Sequence, residues 1–251
     1  SRGQKGGFFL SVLGIILVVF GAAALILVAA AVFFFYVCSA RGGEKIAESI
    51  IASGLEVPEA PNPLTAAGWA FYENAEKRPV ETVGFDGTRL FATFIPREGA
   101  LQTVICIHGY RARCASNFAS ALPDLYRLRS NILLIEQRGC GISGGKYITF
   151  GMMERYDVLT WIDWLNRETD GNLPIFLDGI SLGGATVLMA LELNLPDNVA
   201  GVIDDCGYTS EKDILTRVCR DLVHIPAFPL VNLIGVVNKI VTGLWLDEVD
   251  G

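Results

Sequence analysis

The chain is poor in the residues that build metal sites and nucleic-acid surfaces. Of its 251 residues only His108 and His224 are histidines, and the six cysteines, Cys38, Cys106, Cys114, Cys140, Cys206 and Cys219, form no CxxC pair or other zinc-ligand spacing. A structural metal site is therefore unsupported. An even number of cysteines permits disulfides in an external domain, but free buried thiols acting as small hydrophobes are the simpler reading. There is also no basic surplus. From Gly42 onward 17 of the 20 basic residues face all 27 acidic ones, which argues against nucleic acid as a partner. Nothing in the chain implies a cofactor.

Charge is absent altogether from Phe8 to Val37, a run of Phe, Leu, Ile, Val, Ala and Gly with one Ser and one Tyr. A bilayer core of about 30 Å needs roughly 20 apolar helical residues, so this run can span it with tilt. A cleaved secretory signal carries an apolar stretch of only about 7 to 15 residues, and a buried core helix is the third alternative. We expect a short tail over 1–7, a transmembrane helix over 8–37 in contact with the lipid bilayer, and a connector over 38–78. Arg2 and Lys5 on one side are matched by Arg41 and Lys45 on the other, so the positive-inside count ties. A cytoplasmic N-terminus with the globular part extracytoplasmic is the expectation.

The globular part, 79–251, has the alternation of a parallel α/β sheet without internal repeats. Within the connector, a short helical pattern around Ile46 to Leu55 precedes Pro58, Pro61 and Pro63 and reads as a stalk. Val80 to Val83 and Thr88 to Ile95 flank Gly84-Phe85-Asp86-Gly87, a hairpin signal that places an antiparallel pair at the sheet edge. The runs 103–107, 131–135, 174–177 and 199–203 are nearly all apolar, as strands covered on both faces are. Between them, 115–128, 152–166 and 182–193 carry helical periodicity.

The strongest chemical signal is Gly179-Ile180-Ser181-Leu182-Gly183-Gly184, placed between a predicted strand and a predicted helix. That is the context of a nucleophile elbow, a turn so tight that its flanking positions must be nearly free of side chain. The competing reading is a structural Gly-rich turn with an incidental Ser. A nucleophilic Ser181 needs donors for the developing oxyanion. The backbone N–H of Leu182 is one, and that of Tyr110, in His108-Gly109-Tyr110 directly after a strand, is the other. Gly109 permits close backbone approach, while the His108 side chain is read as fixing the loop. Glu136 and Arg138 are read as ordering the loop beside the site.

Together with Arg138-Gly139-Cys140-Gly141-Ile142-Ser143, Tyr147-Ile148-Thr149-Phe150-Gly151 and Asp205-Cys206-Gly207-Tyr208-Thr209-Ser210, these motifs resemble the α/β-hydrolase superfamily. Within it they are similar to a bacterial branch with an N-terminal membrane helix and a serine-aminopeptidase-like domain. The resemblance covers about 80–251. It implies hydrolysis of an ester, amide or peptide-like bond in a small-molecule or peptide substrate through an acyl-enzyme.

The sequence departs from that pattern in its acid and base. The superfamily's triad runs Ser, then Asp or Glu, then His, yet the one histidine after Ser181 is His224. It sits at the start of a Pro-rich apolar stretch, about 224–246, read as a lid whose Phe228, Leu230 and Leu233 suggest an acyl pocket. Asp205 ends a strand and is the acid candidate, against a loop-ordering role beside Asp204. The expectation is a fragment at both ends, with acid and base about two strand and helix units further on, at roughly 30 residues each. Alone, such a chain would be marginally stable, near-inactive and left with an unpaired sheet edge. Two other classes compete with this reading: a non-catalytic membrane-anchored binding module, and nucleophilic chemistry at Cys140, which lacks a strand-turn-helix context.

Overall fold

The computed structural model describes residues 2–47, 49, 63–169 and 171–247. Its frame is a six-stranded sheet in the order β1-β2-β4-β3-β5-β6. The strands are β1 (Arg78–Val83), β2 (Arg89–Ile95), β3 (Gln102–Ile107), β4 (Ser130–Glu136), β5 (Ile175–Ile180) and β6 (Val199–Asp205). The hairpin β1–β2 is antiparallel, as is β2–β4; β4, β3, β5 and β6 run parallel. β3 and β4 are buried almost throughout, whereas β6 is an edge strand with Ile203 half exposed.

Two apolar layers clamp the sheet. On one face Leu90, Ile105, Leu133 and Leu177 pack with Trp161, Ile162 and Leu165 of the helix Glu154–Glu168. On the other, Ile95, Val104, Ile132 and Leu134 pack with Phe118 and Leu122. The helix expected over 115–128 is two pieces, Cys114–Phe118 and Leu122–Arg127. Pro123 has no N–H to give the Ala119 carbonyl, and its ring crowds that position, so one continuous helix is disallowed. The connector expected over 38–78 is also partly domain. Helix Pro63–Asn74 packs Phe71 against Tyr126, ring centroids 5.2 Å apart, and a Cβ on its Gly68 would overlap the Ala119 carbonyl. Most of the helical pattern at Ile46 to Leu55 lies outside the described residues.

In chain order the helices are α1 (Arg2–Ser39), α2 (Pro63–Asn74), α3 (Cys114–Phe118), α4 (Leu122–Arg127), α5 (Glu154–Glu168), α6 (Leu182–Ala190), α7 (Glu211–Arg217) and α8 (Leu230–Thr242). α1 absorbs the predicted tail, starting at Arg2 rather than Phe8. Its stretch Val12–Ser39 is long and apolar enough to cross a membrane. The last turns of α1 are part of the globular body: Ala31 and Phe35 are buried against Leu215, Leu230, Val231 and Ile234. The lid expected over 224–246 contains α8, and it packs on α1 rather than over Ser181.

Every carbonyl at the end of α1 is satisfied by the domain. A helix leaves its final C=O groups without intrahelical partners. Here Arg111 donates to the carbonyls of Val37 (2.9 Å) and Ala40 (2.8 Å), and the Tyr110 hydroxyl donates to that of Cys38 (2.7 Å). The Ile148 N–H takes the Ser39 carbonyl (2.8 Å), and Ala40 bridges Tyr147 in antiparallel fashion. A guanidinium at a helix C-terminus also complements the macrodipole.

Candidate active site

Ser181 stands where β5 turns into α6, with φ 53° and ψ −109°. A non-glycine residue held there carries strain that the surroundings must impose. They do so from both sides: its N–H donates to the Asp205 carbonyl (2.7 Å) and its carbonyl accepts from Ala185 (3.0 Å). The glycines expected to make room are needed. A Cβ on Gly179 would overlap the Gly183 carbonyl, one on Gly183 the Ile107 carbonyl, and one on Gly184 the Asp204 carboxylate. Arg111, Phe150 and Cys206, on the loops after β3, β4 and β6, also have positive φ. Four of the six non-glycine residues with positive φ among the described residues thus lie at the carboxyl edge of the sheet; Arg129, before β4, and His224, beyond α7, are the others.

Gly109 approaches closely, since a Cβ there would sit 3.5 Å from the Ser181 Cβ. Its N–H is spent on Asn117 Oδ1 at 2.7 Å. The N–H groups of Leu182, next to Ser181 in sequence, and of Tyr110, which lines the same cavity, have no acceptor among the described residues. The Tyr110 ring stacks on Phe150, centroids 5.8 Å apart.

His108 is wholly buried and both ring nitrogens are engaged. Nδ1 donates to the Gly109 carbonyl (2.7 Å), and Nε2 accepts from the Gln137 N–H (2.9 Å). Gln137 returns its side-chain amide to the His108 carbonyl (2.6 Å). Burial pushes the imidazole down to about 4, the Gly109 hydrogen bond opposing and Arg113 assisting. The ring is a neutral splint for the loop after β3.

Glu136 and Arg138 order the neighbouring loop. Arg138 makes a two-pronged pair with buried Asp157 (2.7 and 2.6 Å) and a third bond to Asp86 (2.9 Å), fastening the β1–β2 turn to α5. Glu136 lies 3.6 Å from Arg113. Glu154 gathers the Thr149 N–H, the Thr149 hydroxyl and the Gly151 N–H within 2.9 Å.

Ser181 lines a cavity of about 170 Å³, walled by Phe34, Val37 and Cys38 of α1, by Ile214 and Leu215 of α7, and by Val218, Leu222 and Val223 beyond it. Tyr110, Phe150 and Tyr208 complete the apolar wall. No charged side chain lines it among the described residues. Phe228, Leu230 and Leu233, expected to form the acyl pocket, do not: Phe228 is exposed, and the other two pack at the α1–α8 contact. Tyr208 was missed as a site residue. Its hydroxyl is buried without a partner among the described residues, and burial raises the phenol.

The acid and base are not assembled around Ser181 among the described residues. His224 is exposed, its Nδ1 3.2 Å from the Arg220 carbonyl, and it does not line the cavity. Asp205 meets Ser181 through its backbone carbonyl, while its side chain is exposed. Asp204 accepts from the Gly207 N–H (2.8 Å) and orders that turn. Asp178, on β5, is pushed up to about 6 by burial and by the Asp205 charge. All six cysteines are free; Cys206 is exposed rather than buried.

Comparison with known proteins agrees with this architecture. The sequence profile described as alpha/beta hydrolase fold matches residues 102–221. The uncharacterized protein YqkD of Bacillus subtilis (strain 168) is 26% identical over 151 residues, 59% of this chain and 48% of its own length. The chain thus spans about half the length of that curated relative. The Pyrococcus furiosus esterase Pf2001 superposes with a TM-score of 0.56 at 22% identity, covering 72% of this chain and 68% of its own. The hypothetical protein PA2218 from Pseudomonas aeruginosa gives 0.52 at 16% identity, over 75% and 61%. The protein has the α/β-hydrolase fold, with one N-terminal apolar helix.

Proposed function

We propose that the protein is a membrane-anchored serine hydrolase whose nucleophile is Ser181. The observation that carries this reading is the strained Ser181 elbow opening on an apolar cavity beside two N–H groups without acceptors among the described residues, those of Tyr110 and Leu182. The serine Oγ attacks the substrate carbonyl carbon, its proton passing to a general base. The carbonyl oxygen, now negative, is held by the two N–H groups. Collapse breaks the bond to the leaving alcohol or amine, which takes the proton, and water then releases the acyl group and restores Ser181. The acid and base of the triad are proposed to lie outside the described residues, following Ser181 in the order Asp or Glu, then His.

The uncharged wall favours an ester over the peptide substrates of the serine-aminopeptidase-like branch, because a free N-terminal ammonium would find no carboxylate there. The retention of α1 as an anchor is supported by its last turns: removing them as a signal would take Phe34, Val37 and Cys38 out of the cavity wall and strand Arg111. A binding module on a hydrolase scaffold is the second reading, favoured by one observation, the lack of a histidine beside Ser181 among the described residues. Labelling of the full-length protein by a fluorophosphonate separates the two. We expect labelling that Ser181→Ala abolishes; equal labelling of both, or none, overturns the hydrolase.

A further inference from the structure

The dimensions of α1 set the height of the site above a bilayer. Val12–Ser39 comprises 28 residues, about 42 Å at about 1.5 Å per residue, against a hydrocarbon core of about 30 Å. Counted from Phe8, where the uncharged run starts, roughly 20 residues fill the core and end near Leu27, so α1 leaves the hydrocarbon about a turn before Ala31, where it enters the globular body. From Val12 to Ala29 every residue is exposed, and from Ala31 burial begins. The wholly exposed apolar surface of the span therefore gives way to a half-buried one where the domain starts.

α8 sits at that level and does not turn its apolar residues away. Its Leu230, Val231 and Ile234 pack on Ala31 and Phe35, yet Val236, Ile240 and Val241 remain exposed, Ile240 by 78%. With Val28, Ala31 and Val32 of α1 they line a groove of about 730 Å³ that continues the exposed face of the span. At the end of α8, Lys239 donates to the Gly243 carbonyl (2.6 Å) and stands 5.6 Å over the half-exposed ring of Trp245. A lysine bent back over a tryptophan at the rim of an apolar face is the pattern of a membrane–water boundary. The Ser181 cavity takes its α1 wall from Phe34, Val37 and Cys38, about 10 Å at most beyond Ala31 at about 1.5 Å per residue.

We propose that the outer face of α8 lies in the bilayer beside α1, and that the Ser181 cavity takes the long acyl chain of a lipid ester residing in that bilayer. The substrate part rests on the hydrolase reading above. The membrane occupies the α1–α8 groove because the groove is continuous with the span and presents Val28, Val32, Val236, Ile240 and Val241 along it, with Tyr36, Arg41 and Lys146 at the end where α1 stops. An acyl chain lifted from the hydrocarbon along the last turns of α1 reaches Ser181 between walls of Phe, Val, Leu and Ile, and the apolar contact offsets its departure from the bilayer. Cleavage follows the acyl transfer already written: the ester C–O bond breaks, the headgroup alcohol leaves with the proton, and water releases the fatty acid.

The test uses the full-length protein in phosphatidylcholine vesicles. Lipids brominated along the acyl chain are expected to quench Trp245, seen as the part of the quenching lost in Trp245→Phe. Hydrolysis of p-nitrophenyl palmitate in the vesicles and of soluble p-nitrophenyl acetate is then compared in wild type and in Val236→Glu/Ile240→Glu. We expect the palmitate rate to fall by about tenfold or more, since charges on an interfacial face weaken its insertion, with the acetate rate unchanged. Equal rates on palmitate in wild type and variant, or Trp245 unquenched, overturn the inference while leaving the hydrolase intact. If wild type cleaves acetate but not palmitate, the lipid substrate is wrong. If it cleaves neither, the hydrolase reading fails and the substrate falls with it, while Trp245 quenching still decides the placement of α8.

Discussion

The Tyr110 hydroxyl donates a hydrogen bond to the carbonyl of Cys38 at 2.7 Å, so the residue whose backbone N–H is proposed to hold the oxyanion is also clamped to the last turn of α1. Arg111 braces the same contact, its Nε donating to the Tyr110 oxygen at 2.7 Å. The end of α1 and the loop after β3 are one mechanical unit.

Tyr110→Phe removes that clamp and leaves the backbone N–H. The expected cost is about 1–2 kcal/mol, from the lost bond and from the Arg111 donor left without its acceptor. Fluorophosphonate labelling of Ser181 should slow by about tenfold, because a displaced oxyanion donor acts through geometry. Thermal unfolding in detergent and labelling rates on the same samples check both; a change in neither sinks the coupling.

The strain at Ser181 predicts a variant more stable than the parent. Glycine adopts φ 53°, ψ −109° without a Cβ clash, so Ser181→Gly should raise stability by about 1–3 kcal/mol while abolishing labelling. A lower melting temperature than wild type would show that the elbow is not strained in solution.

His108 gives an acid limit to stability. Its folded value is depressed to about 4 from 6.5 by burial, so the unfolded chain binds the proton first. The neutral splint contributes in full above about pH 6.5, and that contribution is lost as pH falls toward 4, amounting to about 3 kcal/mol on this shift. His108→Gln should be less stable than wild type at pH 7.5 and should lose less on going to pH 5. Parallel pH dependences in denaturant melts would contradict it.

Glu211 acts in the opposite sense. It is buried, its Oε1 without a partner among the described residues and its Oε2 3.4 Å from the Asn238 amide; burial, then the Glu154 charge, pushes it up to about 8. Its raised value favours folding when protonated, so its ionisation erodes stability as pH climbs from about 4.5 to 8. Glu211→Gln should raise the melting temperature at pH 8.5 relative to wild type, with the gain shrinking toward pH 4.5. A gain independent of pH would show that ionisation is not the cause.

The two halves of the site were not equally legible. Gly179-Ile180-Ser181-Leu182-Gly183-Gly184 announces the elbow because each glycine answers to one local clash, and local clashes are written in consecutive residues. The role of His108 was readable for a similar reason, since its partners Gly109 and Gln137 follow strands that pair in the sheet. Tyr208 and the cavity wall were not legible. Phe34 and Val37 look like any other residues of an apolar run until α1 is seen to end against Arg111, and Leu230 and Leu233 are as apolar as Leu215 and Leu222, which are the ones beside Ser181.

By itself the sequence determined the strand and helix alternation, the hairpin at the edge, the apolar span and the serine at the turn. These depend on periodicity, on turn residues and on unbroken hydrophobicity, all properties of short windows. Tertiary structure decided that the last turns of α1 wall the candidate site, that α8 lies on α1 instead of over Ser181, and that Pro63–Asn74 joins the domain. Those outcomes depend on which apolar faces meet, and burial is non-directional: it rewards any apolar contact alike, so the choice among partners is made by shape and by the carbonyls that Tyr110 and Arg111 satisfy.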